Sequence, residues 1–198
     1  MKKVILSLSM LLCSLAMVAQ TKVVESPETD AVYRLPMENC MQVVATELTP
    51  IQLGLGRSYN LLDFCAWELT CGEKSAVVAP RDGVIEEITD SSVLILHEDG
   101  IYTRLRGLEN ICVGKGAEVE RGDRLGRAIE YDSKWSVRME VFHLKSNGAY
   151  GSTTLSGSSE NLVQYINPVF TTRGKCKVQL TSGNSYTVKA RTWCWPWE

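Results

Sequence analysis

The sequence predicts an all-β domain, and three observations carry that prediction. Short Val- and Ile-rich runs follow one another from Ala76 to about Lys145, separated by Asp-Gly turns. No segment in that stretch keeps a 3.6-residue apolar period over helical length. A glycine-punctuated repeat, Val113, Gly116, Val119, Gly122, Leu125 and Gly126, spaces glycines where strands of a compact barrel turn tightly and approach closely.

Taken in order, the chain opens with MKKVILSLSMLLCSLAMVAQ, in which Lys2 and Lys3 precede an apolar run from Val4 to about Ala19. That is the layout of a secretory signal peptide, shorter than the roughly 20 residues of a spanning helix, so residues 1–20 stand apart from the fold. Cys13 follows Leu12 rather than the small residue a lipid-attachment site wants, so no stable membrane anchor is expected after cleavage. Loss of the two lysines takes the net charge from −2 to about −4, a balance that does not suit nucleic acid. Export predicts a secreted or periplasmic protein.

Residues 21–56 mix Pro27, Pro36 and Pro50 with the short apolar runs QVVA and IQLGLG, and read as an N-terminal segment that partly docks on the core. The main domain covers 57–172. Within it SAVVAP, VIEEI, SSVLILH and IYTRL are the strands, and RDG and EDG the turns between them. NLVQYINPVF offers at most a short helical turn before Pro168. Residues 173–198 read as an added C-terminal hairpin, two alternating strands around SGN.

Six of the seven cysteines follow the leader: Cys40, Cys65, Cys71, Cys112, Cys176 and Cys194. An even count in an exported chain favours disulfides. Cys65 and Cys71 flank the short stretch AWELT, read as a loop, and Cys176 and Cys194 flank the terminal hairpin, which leaves Cys40 and Cys112 as a third pair. The rival, a zinc-thiolate cluster, lacks any C-x-x-C. The serines of YGSTTLSGSSE have no histidine in a recognisable nucleophile motif and read as a polar surface loop. The closing TWCWPWE either stacks on sugar rings or packs a terminal strand.

The glycine repeat occurs in biotinyl and lipoyl carriers and in lysostaphin-like zinc endopeptidases. The carrier's exposed Met-Lys hairpin is missing. Over roughly residues 55 to 170 the chain resembles the lysostaphin-like (LytM-type) metallopeptidases of family 23. VVAPRDGVIEEI resembles that family's V-x-A-P-x-D-G-x-V strand and turn, and VLILHEDGIYTRL its V-x-I-x-H-x-D-G-Y strand pair. VGKGAEVERGDRLGRA matches V-x-x-G-x-x-V-x-x-G-x-x-I-G, VRMEV falls at H-L-H-F-E-V, and INPVF at a late D-P motif. The resemblance implies the family's duplicated hybrid motif, a compact β-sandwich or barrel with a groove along one sheet.

It also implies where a catalytic zinc would sit, held by the His and Asp of H-x-G-x-D and the second His of H-x-H, with one position open for water. In this chain Tyr59 and Asp63 stand at the first pair, and Ser136 and Arg138 at the two histidines of H-x-H. A further family histidine aligns with about Gly107. A guanidinium stays protonated and offers no lone pair, so Arg138 cannot ligate a cation. His97 matches a structural position, and strand alternation turns His143 away from the face of Ser136, Arg138 and Glu140. No metal or other cofactor is therefore expected. Tyr59, Asp63, Gly107, Ser136, Arg138 and Glu140 become a degenerate groove in which Arg138 pairs with Asp63. The expectation is a non-catalytic envelope module that binds peptidoglycan or regulates a cell-wall hydrolase. The alternatives are an active endopeptidase with an unusual ligand set and a structural scaffold.

Overall fold

The computed structural model describes residues 31–38, 41–54, 64–144 and 163–188. In chain order the strands are β1 Val32–Arg34, β2 Gln42–Glu47, β3 Ala66–Cys71, β4 Ala76–Val78 and β5 Gly83–Ile88. Next come β6 Ser92–Leu96, β7 Ile101–Arg106, β8 Leu108–Glu109, β9 Glu118–Val119 and β10 Arg124–Tyr131. The last are β11 Lys134–Leu144, β12 Val163–Tyr165, β13 Val169–Thr172, β14 Lys175–Val178 and β15 Ser185–Thr187. A single 3-10 turn, Pro50–Leu53, is the one helical element among the described residues.

Strands β15-β2-β3-β11-β7-β6-β5-β9 run side by side in the larger sheet; β10 and β12 also pair with β11, and β4 and β8 pair with β10. A smaller sheet, β1-β13-β14, lies beside it. Period-two alternation sorts side chains between two faces of the larger sheet. Trp67, Leu69 and Cys71 of β3, Leu105 of β7, Val93 and Ile95 of β6, and Val137, Met139 and Val141 of β11 are all buried in the main core with Tyr33 and Phe170 of the smaller sheet. Fully burying one such side chain stabilises the fold by about 1.5–3 kcal/mol.

The strands expected from Ala76 to Leu144 form, and the glycine repeat has the anticipated use. Gly116 and Gly122 hold φ of +80° and +101°, which L side chains rarely adopt. At Gly126 a Cβ would stand 3.0 Å from the Glu109 carbonyl oxygen.

Four expectations change. The N-terminal segment is woven into the domain rather than docked on it, since β2 is hydrogen-bonded between β15 and β3. AWELT is not a loop: it is strand β3, whose alternation Ala-Trp-Glu-Leu-Thr puts every second residue in the core. NLVQYINPVF contributes the whole of β12 and the start of β13 instead of a helical turn, because Val163–Tyr165 finds an antiparallel partner in β11. The C-terminal strands do not form one hairpin. β14 pairs with β13 across the Arg173-Gly174 turn, with Gly174 at φ +83°, while β15 joins β2.

The AWELT correction removes the first disulfide expectation. An extended strand rises about 3.3 Å per residue, so Ala66–Cys71 alone spans roughly 17 Å, whereas bridged Cα atoms lie within about 7 Å. Cys65 and Cys71 are free thiols at opposite ends of β3, and Cys112 is a free, exposed thiol. Cys71 donates to the carbonyl oxygen of Glu73 at 3.1 Å. Burial pushes the Cys65 thiol up to about 12, so it is no thiolate at neutral pH. Cys40, Cys194 and the Cys176 side chain lie outside the described residues, as do the leader, the serine loop and the tryptophan-rich end.

His97 is a core residue. Its Nδ1 lies 2.7 Å from the Asp82 carbonyl oxygen and its Nε2 2.7 Å from Thr103 Oγ1, which fits a neutral ring donating through Nδ1 and accepting at Nε2. Burial is the largest influence on it and pushes its pKa below the usual histidine value, against the raising effect of the Asp82 bond. A histidine whose folded pKa is depressed takes up its proton more readily when unfolded. Its contribution is complete above the unfolded value of about 6.5 and is lost progressively as pH falls below that value through the lower folded one. Urea denaturation should therefore show stability declining from pH 7.5 to 5, and His97→Gln should remove that part of the slope. An unchanged slope in the variant would contradict the assignment.

Candidate functional site

Strand β11, the longest of the described strands, is hydrogen-bonded along both edges, to β3 on one side and to β7 on the other. Its start is fixed by the β10–β11 hairpin, where Asp132 and Ser133 both take positive φ, 50° and 60°. Two positive-φ residues make the type I′ turn whose twist suits a two-residue hairpin. That turn sets Ser136 opposite Ile129, and the register follows from there. Val137, Met139 and Val141 enter the core, so Ser136, Arg138, Glu140 and Phe142 share the opposite face.

The lateral rows on that face are polar at one end and apolar at the other. Through Arg138 runs a row of cross-strand partners, Thr46, Glu68, Arg138, Arg106 and Ser92, on five neighbouring strands. The next row carries Ala66, Glu140, Arg104 and Leu94. Beyond it Phe142 stacks on Tyr102 with ring centroids 5.7 Å apart and meets Tyr165 edge-on at 6.2 Å. Arg104 lies over the Phe142 ring, 5.5 Å from its centroid.

Two ion pairs bind the polar rows. Arg138 Nε donates to Glu68 Oε1 at 3.0 Å, and Nη1 donates to the Gln52 carbonyl oxygen at 3.1 Å, which ties β11 to the 3-10 turn. Arg106 Nε donates to Glu140 Oε1 at 2.6 Å. Their environments differ. The Arg138 and Glu68 side chains are 41% and 25% exposed, whereas the Glu140 side chain is wholly buried. Glu140 Oε2 is buried too and has no hydrogen-bond partner among the described residues.

The sequence-derived site is thus brought together in part. Ser136, Arg138 and Glu140 share one face, and Gly107 packs against the backbone at Ser136: a Cβ there would stand 3.3 Å from the Ser136 carbonyl oxygen, and φ is +81°. A side chain at Gly107 would be strained whatever its chemistry. Tyr59 and Asp63 lie outside the described residues, and the carboxylate that the structure gives Arg138 is Glu68. His143 lies on the alternate face of β11, as expected from its position. Sequence reasoning passed over Glu68, Arg106 and Gln52. The alternation of AWELTC and of TRLR carried a signal for the first two, hidden in β3 by reading its cysteines as the ends of a loop.

These residues do not fit the zinc that the resemblance implies. The described positions aligned with family histidines hold a glycine, a hydroxyl and a guanidinium already engaged by Glu68. Among the described residues no group of three or more His, Cys, Asp and Glu is placed to hold a metal ion.

The chain matches no protein-family model and no curated protein. Among solved structures it is similar to an M23 metalloprotease, pseudoalterin, from the deep sea, at 15% identity and TM-score 0.45 over 70% of this chain and 92% of that one. It is similar to the SpoIIQ-SpoIIIAH pore-forming complex at 14% and 0.41, over 69% and 89%. Helicobacter pylori Csd3 follows at 14% and 0.41, over 66% of this chain and 38% of that one. TM-scores this low leave the functional reading to the chain's own residues.

The two ion pairs should respond unequally to mutation. Removing Arg106 strands a buried carboxylate, and breaking such a pair from one side costs about 3–5 kcal/mol. Arg138→Ala leaves Glu68 with access to water and should cost no more than about 1 kcal/mol. Chemical denaturation of both alanine variants checks this; equal losses, or a larger loss at Arg138, would contradict it.

Proposed function

We propose that the chain is an exported, non-catalytic module of the cell envelope, built on a lysostaphin-like β-fold, that binds peptidoglycan or regulates a cell-wall hydrolase through its larger sheet's open face. The observation that carries this reading is the Arg138–Glu68 pair. Hydrolysis in the lysostaphin-like manner needs a Lewis acid to polarise a carbonyl and activate water. At the aligned position this chain holds a fixed positive charge, bonded at Nε to Glu68 and at Nη1 to Gln52. A guanidinium and a metal ion repel one another there, and the carboxylate that could help a metal is already committed to Arg138.

What the face retains is suited to recognition. Its partly exposed arginines, Arg106 and Arg138, offer directional hydrogen bonds, while the aromatic end is packed inward, with Phe142 fully buried and Tyr165 nearly so. Both arginines lie on a sheet whose register is fixed by backbone pairing, so the groups are held in place before a ligand arrives.

The exported protein should carry far less than one zinc per chain after dialysis, release no muropeptides from cross-linked peptidoglycan, and sediment with purified sacculi or co-purify with an added wall hydrolase. Arg138→Ala should weaken that association. About one retained zinc per chain accompanied by muropeptide release would overturn the non-catalytic reading. Failure to associate with either sacculi or hydrolase would overturn the recognition reading.

A further inference from the structure

We propose that Arg106 and Arg138 together form an oxyanion-binding fork on the open face of the larger sheet. The two residues are direct cross-strand partners on β7 and β11. Side chains so placed have Cβ atoms about 4.5–5.5 Å apart, and like charges directly opposite one another destabilise a sheet. Here the two guanidiniums are not merged on one carboxylate. Arg138 is drawn by Nε to Glu68 on its β3 side, and Arg106 by Nε to Glu140 one row further along β11. Each Nε–H is spent on orientation. Among the described residues, Arg138 Nη2 and both Nη groups of Arg106 have no acceptor.

The bonds made within the cluster leave those donors for an outside group, although Glu140 Oε2 stays buried without a partner among the described residues. Glu68 faces Arg138, the Gln52 carbonyl takes Nη1, and Glu140 is buried beneath Arg106. Both arginine side chains remain partly open to water, 32% exposed at Arg106 and 41% at Arg138. The planar fork of a guanidinium matches carboxylate and phosphate oxygens in geometry. An oxyanion seated between two such forks would also relieve their mutual repulsion. The chain as a whole is acidic, with a net charge of −2, and Glu68 and Glu140 balance the two arginines, so selection for an anion comes from the directional free donors of the pair rather than from net charge. Carboxylate and phosphate present the same chemistry to the fork, a peptide end in the first case and a phosphorylated polymer or headgroup in the second.

The inference rests on the geometry of the Arg106–Arg138 pair and stands or falls without sacculi, hydrolase or metal. The exported full chain, labelled with 15N, is titrated with sodium acetate and separately with methyl phosphate, at ionic strength held constant with chloride. The Nε–Hε resonances of Arg106 and Arg138 are followed. A saturable shift of both resonances with either anion supports the fork, and the anion with the lower midpoint names the source. Arg138→Gln, which leaves the buried Glu140 pair intact, should raise that midpoint at least about tenfold. The double variant Arg106→Gln with Glu140→Gln should do the same without stranding a charge. Shifts that never saturate with either anion, or midpoints unchanged in both variants, would overturn the proposal.

Discussion

The double-sided pairing of β11 is the constraint on which the rest of the structure depends. Bonded to β3 along one edge and to β7 along the other, this strand cannot slip by one residue without exchanging its two faces. Such a slip would drive Arg138 and Glu140 into the core and expel Val137, Met139 and Val141. The cost of burying unpaired charge and exposing three core side chains is several kcal/mol in each direction. The positive-φ turn at Asp132 and Ser133 and the closely packed Gly107 start the strand in the right phase.

That register explains why the open face needs no metal to hold its shape. Backbone hydrogen bonds position the rows, and the ion pairs orient the side chains within them. Glu140 shows the limits of such an arrangement. A fully buried carboxylate with one bonded oxygen is a net expense for folding unless its partner stays in place, so Arg106 is bound to its position by the charge beneath it. Arg138 is held more loosely, by a half-open carboxylate and a turn carbonyl, and is the arginine freer to adjust to a ligand. A rigid cation beside a more adaptable one is a workable recognition surface.

Much of the fold was legible because the responsible signals are local. Val- and Ile-rich runs closed by Asp-Gly turns gave β5, β6 and β7, and the glycine repeat gave the tight connections around β9 and β10. What could not be read was long-range partnership. β2 and β15 lie far apart in sequence yet pair directly, and β14 turns to β13 instead of to the strand that follows it. The site was half legible for the same reason. Ser136, Arg138 and Glu140 share a face by simple alternation, but Glu68 became Arg138's partner only through the β3–β11 register. Arg106 required knowing that β7 flanks the other edge. In β3 an assumption about cysteines outweighed an alternation that was plainly present, and the extended geometry of that strand is what excludes the bridge.

A crystal structure of the exported protein grown with excess zinc tests the central claim most directly, because it reads the position of Arg138 and the metal together. The account predicts Arg138 Nε within hydrogen-bonding distance of Glu68 and no anomalous zinc signal on the open face. A zinc ion bound there, with Arg138 swung away from Glu68, would contradict it.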